Sequence, residues 1–207
     1  MSAFFMSRVA QSRFERRSTV IANKSPFSGK VFRSGFPDEQ WVFSFETAWM
    51  THTEGLPIRA LIAAQKSGIG QMAVFDPDFA KPLPGSRAAL QNGTVNGAAQ
   101  TDDTLNVDFD GAVSSLVARA GERLWIEYPG PVYRMFELLE DCVTSGAGGT
   151  ATMLLDRPLR IAPANGAAIG FDFITSFRGI PARVVESGQD TDLAGNIRFR
   201  ISGEEII

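Results

Sequence analysis

The chain has 207 residues, 44% hydrophobic and 21% charged, with a formal net charge of −3. That length can bury a substantial core, and that charge gives no basis for nucleic acid or an anionic membrane as a bulk partner. The single cysteine, Cys142, excludes an internal disulfide, and no run approaches the roughly 18 apolar residues of a membrane span.

The start, MSAFFMSRVAQSRFERR, puts apolar residues before basic ones, the reverse of a secretory signal. Residues 1–40 then turn repeatedly at NKSPFSG and SGFPDE, as a solvated terminus does; a flexible arm or an edge strand laid on a neighbour is the alternative. WVFSFETAWM (41–50) alternates, with Trp41, Phe43 and Phe45 on one face, and predicts a half-buried strand. THTEGLPIRALIAAQKSG follows. Thr51 with Glu54 forms a capping-box pattern, and Ile58, Leu61, Ile62 and Gln65 recur at helical spacing. Pro57 would cost a helical bond, which favours a later start and a helix over about 54–67. GQMAVFDP (70–77) returns as a strand.

KPLPGSRAALQNG (81–93) reads as a linker, and 94–160 as all-β. LWIEY (124–128) is a predicted strand. VYRMFELLEDCVTS (132–145) is read as one long strand, turning at GAGG into TATMLL as a hairpin. AAIGFDFITSF (167–177), ARVVES and NIRFRIS complete the β candidates. Sixteen phenylalanines against two tyrosines, with 20 glycines and 11 prolines, suit short strands and frequent turns. The expected architecture is mainly β (α+β). The ends of the chain, 1–84 and 161–207, form an outer piece with the helix, and 85–160 forms an inserted, small β-barrel-like domain.

Candidate chemistry is sparse. Asn106-x-Asp108-x-Asp110-Gly111 begins like a calcium loop, yet its twelfth position is Val117 where a bidentate carboxylate is required. These side chains are expected to bond backbone and water in a turn. His52 is the only histidine, and Cys142 lies among Leu138, Leu139 and Val143, so neither presents a dyad in sequence. Gly68-x-Gly70-x-x-Ala73 closes a helix where a dinucleotide loop would open one. The carboxylates Glu137/Glu140 and Asp102/Asp103 lack an apolar setting that would split their pKa values. No catalytic, metal or cofactor residue is therefore expected, and a structural or binding role is favoured over an enzyme.

The order SPFSG, WVFSF, a threonine-started helix, GQMAVFDPD, VNGAAQTDDTL (95–105), AGERLWI, VYRMF, GGTATMLLDRPLR (148–160) and a Phe-rich strand resembles one family. These are minor tail proteins of tailed bacteriophages and prophages, similar to the distal tail proteins of long, non-contractile tails. The resemblance runs from about residue 23 to 185. It implies a tail-tube-like β-sandwich with one packed helix, from which the second β-domain projects. It implies a homo-oligomer, usually a hexameric ring, at the tail tip of the virion, assembled in the host cytoplasm. Its partners would be the tail tube protein, the baseplate hub and other tail-tip proteins, with no specific nucleic acid, membrane or cofactor. Arg13, Arg16, Arg17, Phe36, Trp41 and Trp49 are then candidate interface anchors, core packing being the rival for the aromatics. Tail terminators and head–tail joining proteins are alternative ring formers. A carbohydrate-binding tail module is another, with Trp125 and Tyr128 as candidate glycan contacts.

Overall fold

The computed structural model describes residues 5–17, 20–24, 31–35, 40–66, 72–79, 93–109, 117–130, 132–145, 149–173 and 178–206, with 20–24 and 31–35 described by their backbone. The chain runs β1 (Val9–Arg17), β2 (Val20–Lys24), β3 (Val31–Gly35), β4 (Gln40–Thr47), helix α1 (His52–Lys66), β5 (Met72–Val74) and a 3-10 turn at Pro77–Phe79. There follow β6 (Gly93–Val95), β7 (Thr104–Phe109), β8 (Val117–Ala118), β9 (Arg123–Tyr128) and β10 (Val132–Glu137). The last are β11 (Cys142–Val143), β12 (Thr150–Leu154), β13 (Ala168–Gly170), β14 (Ile180–Thr191) and β15 (Ile197–Glu205). The protein is mainly β: among the described residues there are one long helix, two larger curled sheets and two two-stranded sheets.

The chain divides into two compact units. One comprises Arg8–Gly70 and Ala182–Ile207; the other comprises Gln71–Pro181 with the segment up to Ser7. The second unit thus takes in residues on both sides of the 85–160 segment predicted from composition. It also recruits the start of the chain, where Phe5 is fully buried.

In the first unit, β1, β4, β15 and β14 lie side by side in that order. Alternation governs the layer: Trp41, Phe43, Phe45, Ile197, Phe199 and Ile201 are buried, while the residues between them are partly or fully exposed. Phe43 stacks on Phe45 at 4.9 Å, and Phe14 of β1 lies 5.3 Å from Trp41. Each such side chain contributes about 1.5–3 kcal/mol on burial. Gly203 lies where the Phe43 ring crosses β15, and a methyl there would strike that ring and the Arg183 carbonyl.

Helix α1 begins earlier than predicted, at His52. The Thr51–Glu54 capping box explains the start: the Glu54 carboxylate accepts from Thr51 N at 3.0 Å and from Thr51 Oγ1 at 2.9 Å. Pro57 therefore sits inside the helix, on an exposed position where water can serve the freed carbonyl. The buried face is Gly55, Ile58, Leu61, Ile62 and Gln65. Gly55 brings the helix backbone against Ile197 and Phe199 of β15.

The second unit is built on a six-stranded sheet in the order β10-β9-β13-β6-β7-β12. One apolar cluster fills it, including Leu105, Val107, Phe109, Leu124, Ile126, Phe136, Met153 and Ile169. The predicted long strand 132–145 is broken. β10 stops at Glu137, and a bend separates it from the two-residue β11, which pairs with β8. TATML does not return along it; β12 pairs with β7 over Thr150–Leu154, leaving only single bridges at Ser145–Thr150 and Leu138–Leu155. In the described part of the predicted strand 167–177, β13 ends at Gly170, and residues 174–177 lie outside the described residues. Phe171 enters the apolar cluster, and Phe173 instead stacks with Phe75 at 6.2 Å.

Candidate functional site

The residues weighed for chemistry occupy structural positions. Cys142 is buried, and its thiol points at the Thr152 carbonyl, 3.5 Å away; burial raises its pKa to about 11, far from a thiolate nucleophile. His52 opens α1 at an exposed position. Gly68 and Gly70 lie outside the described residues, as does Asp110. Among the described residues no three His, Cys, Asp or Glu side chains gather in a way that suits a metal.

The 96–106 loop is held by an unexpected residue. Gln100 Nε2 donates to the carbonyls of Asn96, Gly97 and Asn106 at 3.2–3.4 Å, and its Oε1 accepts from Asn106 N at 2.6 Å. This brace holds a loop in which Ala99 adopts φ 58, a conformation uncommon outside glycine. The aspartates contribute main-chain carbonyls: Asp102 O accepts from Leu159 N, and Asp103 O from Leu155 N. Asn106 Oδ1 accepts from Thr152 Oγ1 at 2.7 Å, tying β7 to β12.

Trp125 and Tyr128 do not form a stacking platform. They are three positions apart on β9, so they point to opposite faces, and they are only 3% and 6% exposed. Tyr128 belongs to the apolar cluster. Trp125 Nε1 donates to the Asp172 carbonyl at 3.0 Å, while Arg178 lies over its ring at 4.3 Å and over Tyr133 at 5.1 Å. Arg178 also pairs with Glu127 at 3.2 Å. On the same face of β9, Arg123 is paired with Asp76 and approaches Glu137 at 3.7 Å. Neither ionic group was visible in the sequence, because their members are tens of residues apart.

The predicted interface residues divide as follows. β1 is no free arm: it pairs with β4 along its whole length and forms the edge of its own sheet. Arg13 and Arg17 project to the solvent face, where Arg13 meets Glu15 at 2.7 Å, and Arg16 projects to the other, 5.9 Å from the Trp41 ring. Trp41 is 1% exposed, so it packs inside its own unit and offers no surface to a neighbour. Trp49 is 45% exposed beneath Arg198 at 4.7 Å. Phe36 lies outside the described residues.

The solvent face of this sheet is a shallow groove of about 430 Å3, lined by Arg13, Arg17, Ser44, Glu186, Ser202 and Glu204 among others. Arginines and carboxylates are matched across it. Arg183 pairs with Glu204, and Arg198 and Arg200 share Glu46 and Asp190. Its two sides differ in sign. β1 carries three arginines against one glutamate; β14 carries Arg183 against Glu186 and Asp190. Between β1 and β4, the β2–β3 pair forms a two-stranded sheet of its own.

No protein-family model matches the chain, and no curated protein is significantly similar to it.

Proposed function

We propose that the protein is a ring-forming structural subunit of a phage tail tip, a distal tail protein that joins the tail tube to the baseplate hub. Its work is mechanical, with no catalytic step. The observation that carries this reading is the sign difference between the two sides of the first unit's sheet. A basic edge strand and an acidic strand on the opposite side suit head-to-tail association of identical copies, in which one surface meets a different one and the rotation closes a ring. The order of motifs from residue 23 to 185 supplies the tail-protein context.

The test is mass photometry across a concentration series, comparing wild type with Arg13→Glu/Arg17→Glu. Wild type is expected at an integer multiple of 22.4 kDa, with six copies the favoured count, and the charge reversal is expected to give monomers. Adding Glu186→Arg to the reversed chain should restore part of the assembly. A wild-type protein that stays monomeric alone and with tail-tube protein would overturn the proposal.

A further inference from the structure

The strand registers turn the outward face of the first unit's sheet into a grid. Across β1, β4, β15 and β14, one row reads Glu15, Val42, Glu204, Arg183. The next reads Arg13, Ser44, Ser202, Glu186, and the third reads Gln11, Glu46, Arg200, Gly188. The middle row is low at its centre, where the two serines help to line the groove of about 430 Å3. The face is open to solvent. Arg13, Glu15, Arg183 and Arg200 each keep more than half of the side chain exposed, and Val185, at the bulge of β14, is 58% exposed beside the groove.

The charges on this grid match themselves under one symmetry operation. A two-fold axis parallel to the strands, laid over the sheet between β4 and β15, turns a second copy face down and exchanges the two ends of every row. Glu15 then faces the second copy's Arg183, Arg13 faces its Glu186, and Glu46 faces its Arg200. Each contact occurs twice, so every charged pair is of opposite sign or sets a charge against a neutral side chain. A two-fold axis across the strands does the reverse: it sets Arg13 on Arg13 and Glu186 on Glu186, which repels. Within one chain Glu204 already orients Arg183, and Glu46 orients Arg200 at 3.1 Å. Glu186 has no ion pair among the described residues, and the second copy's Arg13 would supply it.

We propose that this face docks a second copy of the chain about the two-fold axis parallel to its strands. Sheets stack about 10 Å apart with their strands tilted by about 30°, a gap that long charged side chains cross. The low serine row gives Arg13 and Glu186 room to meet there. Four strands, with β4 eight residues long, present about 500 Å2 per copy, or about 1,000 Å2 in total. That is the lower limit for a specific interface, so the contact is weak, polar and sensitive to salt. It does not depend on ring closure. The ring joins one side of the sheet to the other side of the next copy's, whereas here a face meets itself.

The test is sedimentation velocity of the full chain over a concentration series at low and high salt, with cross-linking as a second readout. Wild type is expected at even multiples of 22.4 kDa, two copies by this contact alone, and the association should weaken as salt rises. Glu15→Arg sets like charges against Arg183 twice and should weaken it roughly tenfold or more; Glu15→Arg/Arg183→Glu should restore it. Both positions are exposed, so circular dichroism should show both variants folded. For cross-linking, Ser44→Cys chains are mixed with Ser202→Cys chains and treated with a short bis-maleimide linker, the buried Cys142 staying unreactive. Ser44 and Ser202 lie on inner strands, so an edge-on contact leaves them out of the linker's reach, and joining of the two chains is expected only face to face. Cross-linked pairs without a six-copy species would support this contact and count against the ring. A six-copy species that Glu15→Arg leaves intact and the linker does not join would overturn this contact and leave the ring standing. Failure of the double reversal to restore association would also overturn it, and a protein monomeric at every concentration would overturn both.

Discussion

Arg123 and Asp76 form an ion pair with only 9% and 6% of their side chains exposed, across 47 residues of sequence. Removing Asp76 deprives the buried Arg123 of its close carboxylate partner, and breaking a buried pair in this way typically costs about 3–5 kcal/mol. Asp76→Ala should therefore lose stability on that scale in urea denaturation. The double change Asp76→Leu/Arg123→Met should lose far less, and a double that is as damaging as the sum of the singles would refute the pairing. Burial holds the Asp76 carboxyl above its ordinary value, although the Asp78 amide and Arg123 pull it down. A raised carboxyl stabilises the native state fully below the unfolded value near 4 and loses that contribution as pH rises through its folded value. Asp76→Asn should flatten that part of the pH–stability curve.

Cys142 should behave as an inert thiol. With its pKa raised by burial from 9.0 to about 11, the native protein should resist thiol reagents at pH 8 and react fully only in denaturant. The linkage has a definite sign. The protonated thiol is favoured on folding, so its contribution is complete below pH 9 and is lost between pH 9 and 11. Cys142→Ala should lack that alkaline component in a pH series of urea midpoints. Rapid labelling of the native protein at neutral pH would contradict the burial.

Gly203 is required by the Phe43 ring. Gly203→Ala should cost about 1–3 kcal/mol through overpacking, because the methyl meets the Arg183 carbonyl oxygen as well as a side chain, and backbone cannot step aside. Gly203→Ala combined with Phe43→Leu should recover only the ring's share of that loss. Gly188→Ala is the control, since nothing surrounds its Cβ position. Chemical denaturation of the three variants decides the matter.

Local signals carried the parts of the fold that are decided within a few residues. The alternation of WVFSF placed β4 and its aromatic face, and the Thr51–Glu54 capping box marked the helix start more faithfully than the objection raised by Pro57. The opposite orientation of Trp125 and Tyr128 was also legible, because an odd spacing on a strand separates two side chains to different faces. Cys142 among leucines announced its own burial.

Pairings between distant strands were settled only by tertiary structure. TATML carries a strand pattern that any antiparallel partner could match, and its choice of β7 over the adjacent 132–145 segment depends on which sheet buries Met153. The Arg123–Asp76 pair and the Arg178 stack on Trp125 both join elements far apart in the chain. Period and propensity act over the length of a turn or a strand, so they specify local shape. Which charges and rings come to share a low-dielectric site is fixed by packing of the whole domain, and that is where the chemistry of this protein resides.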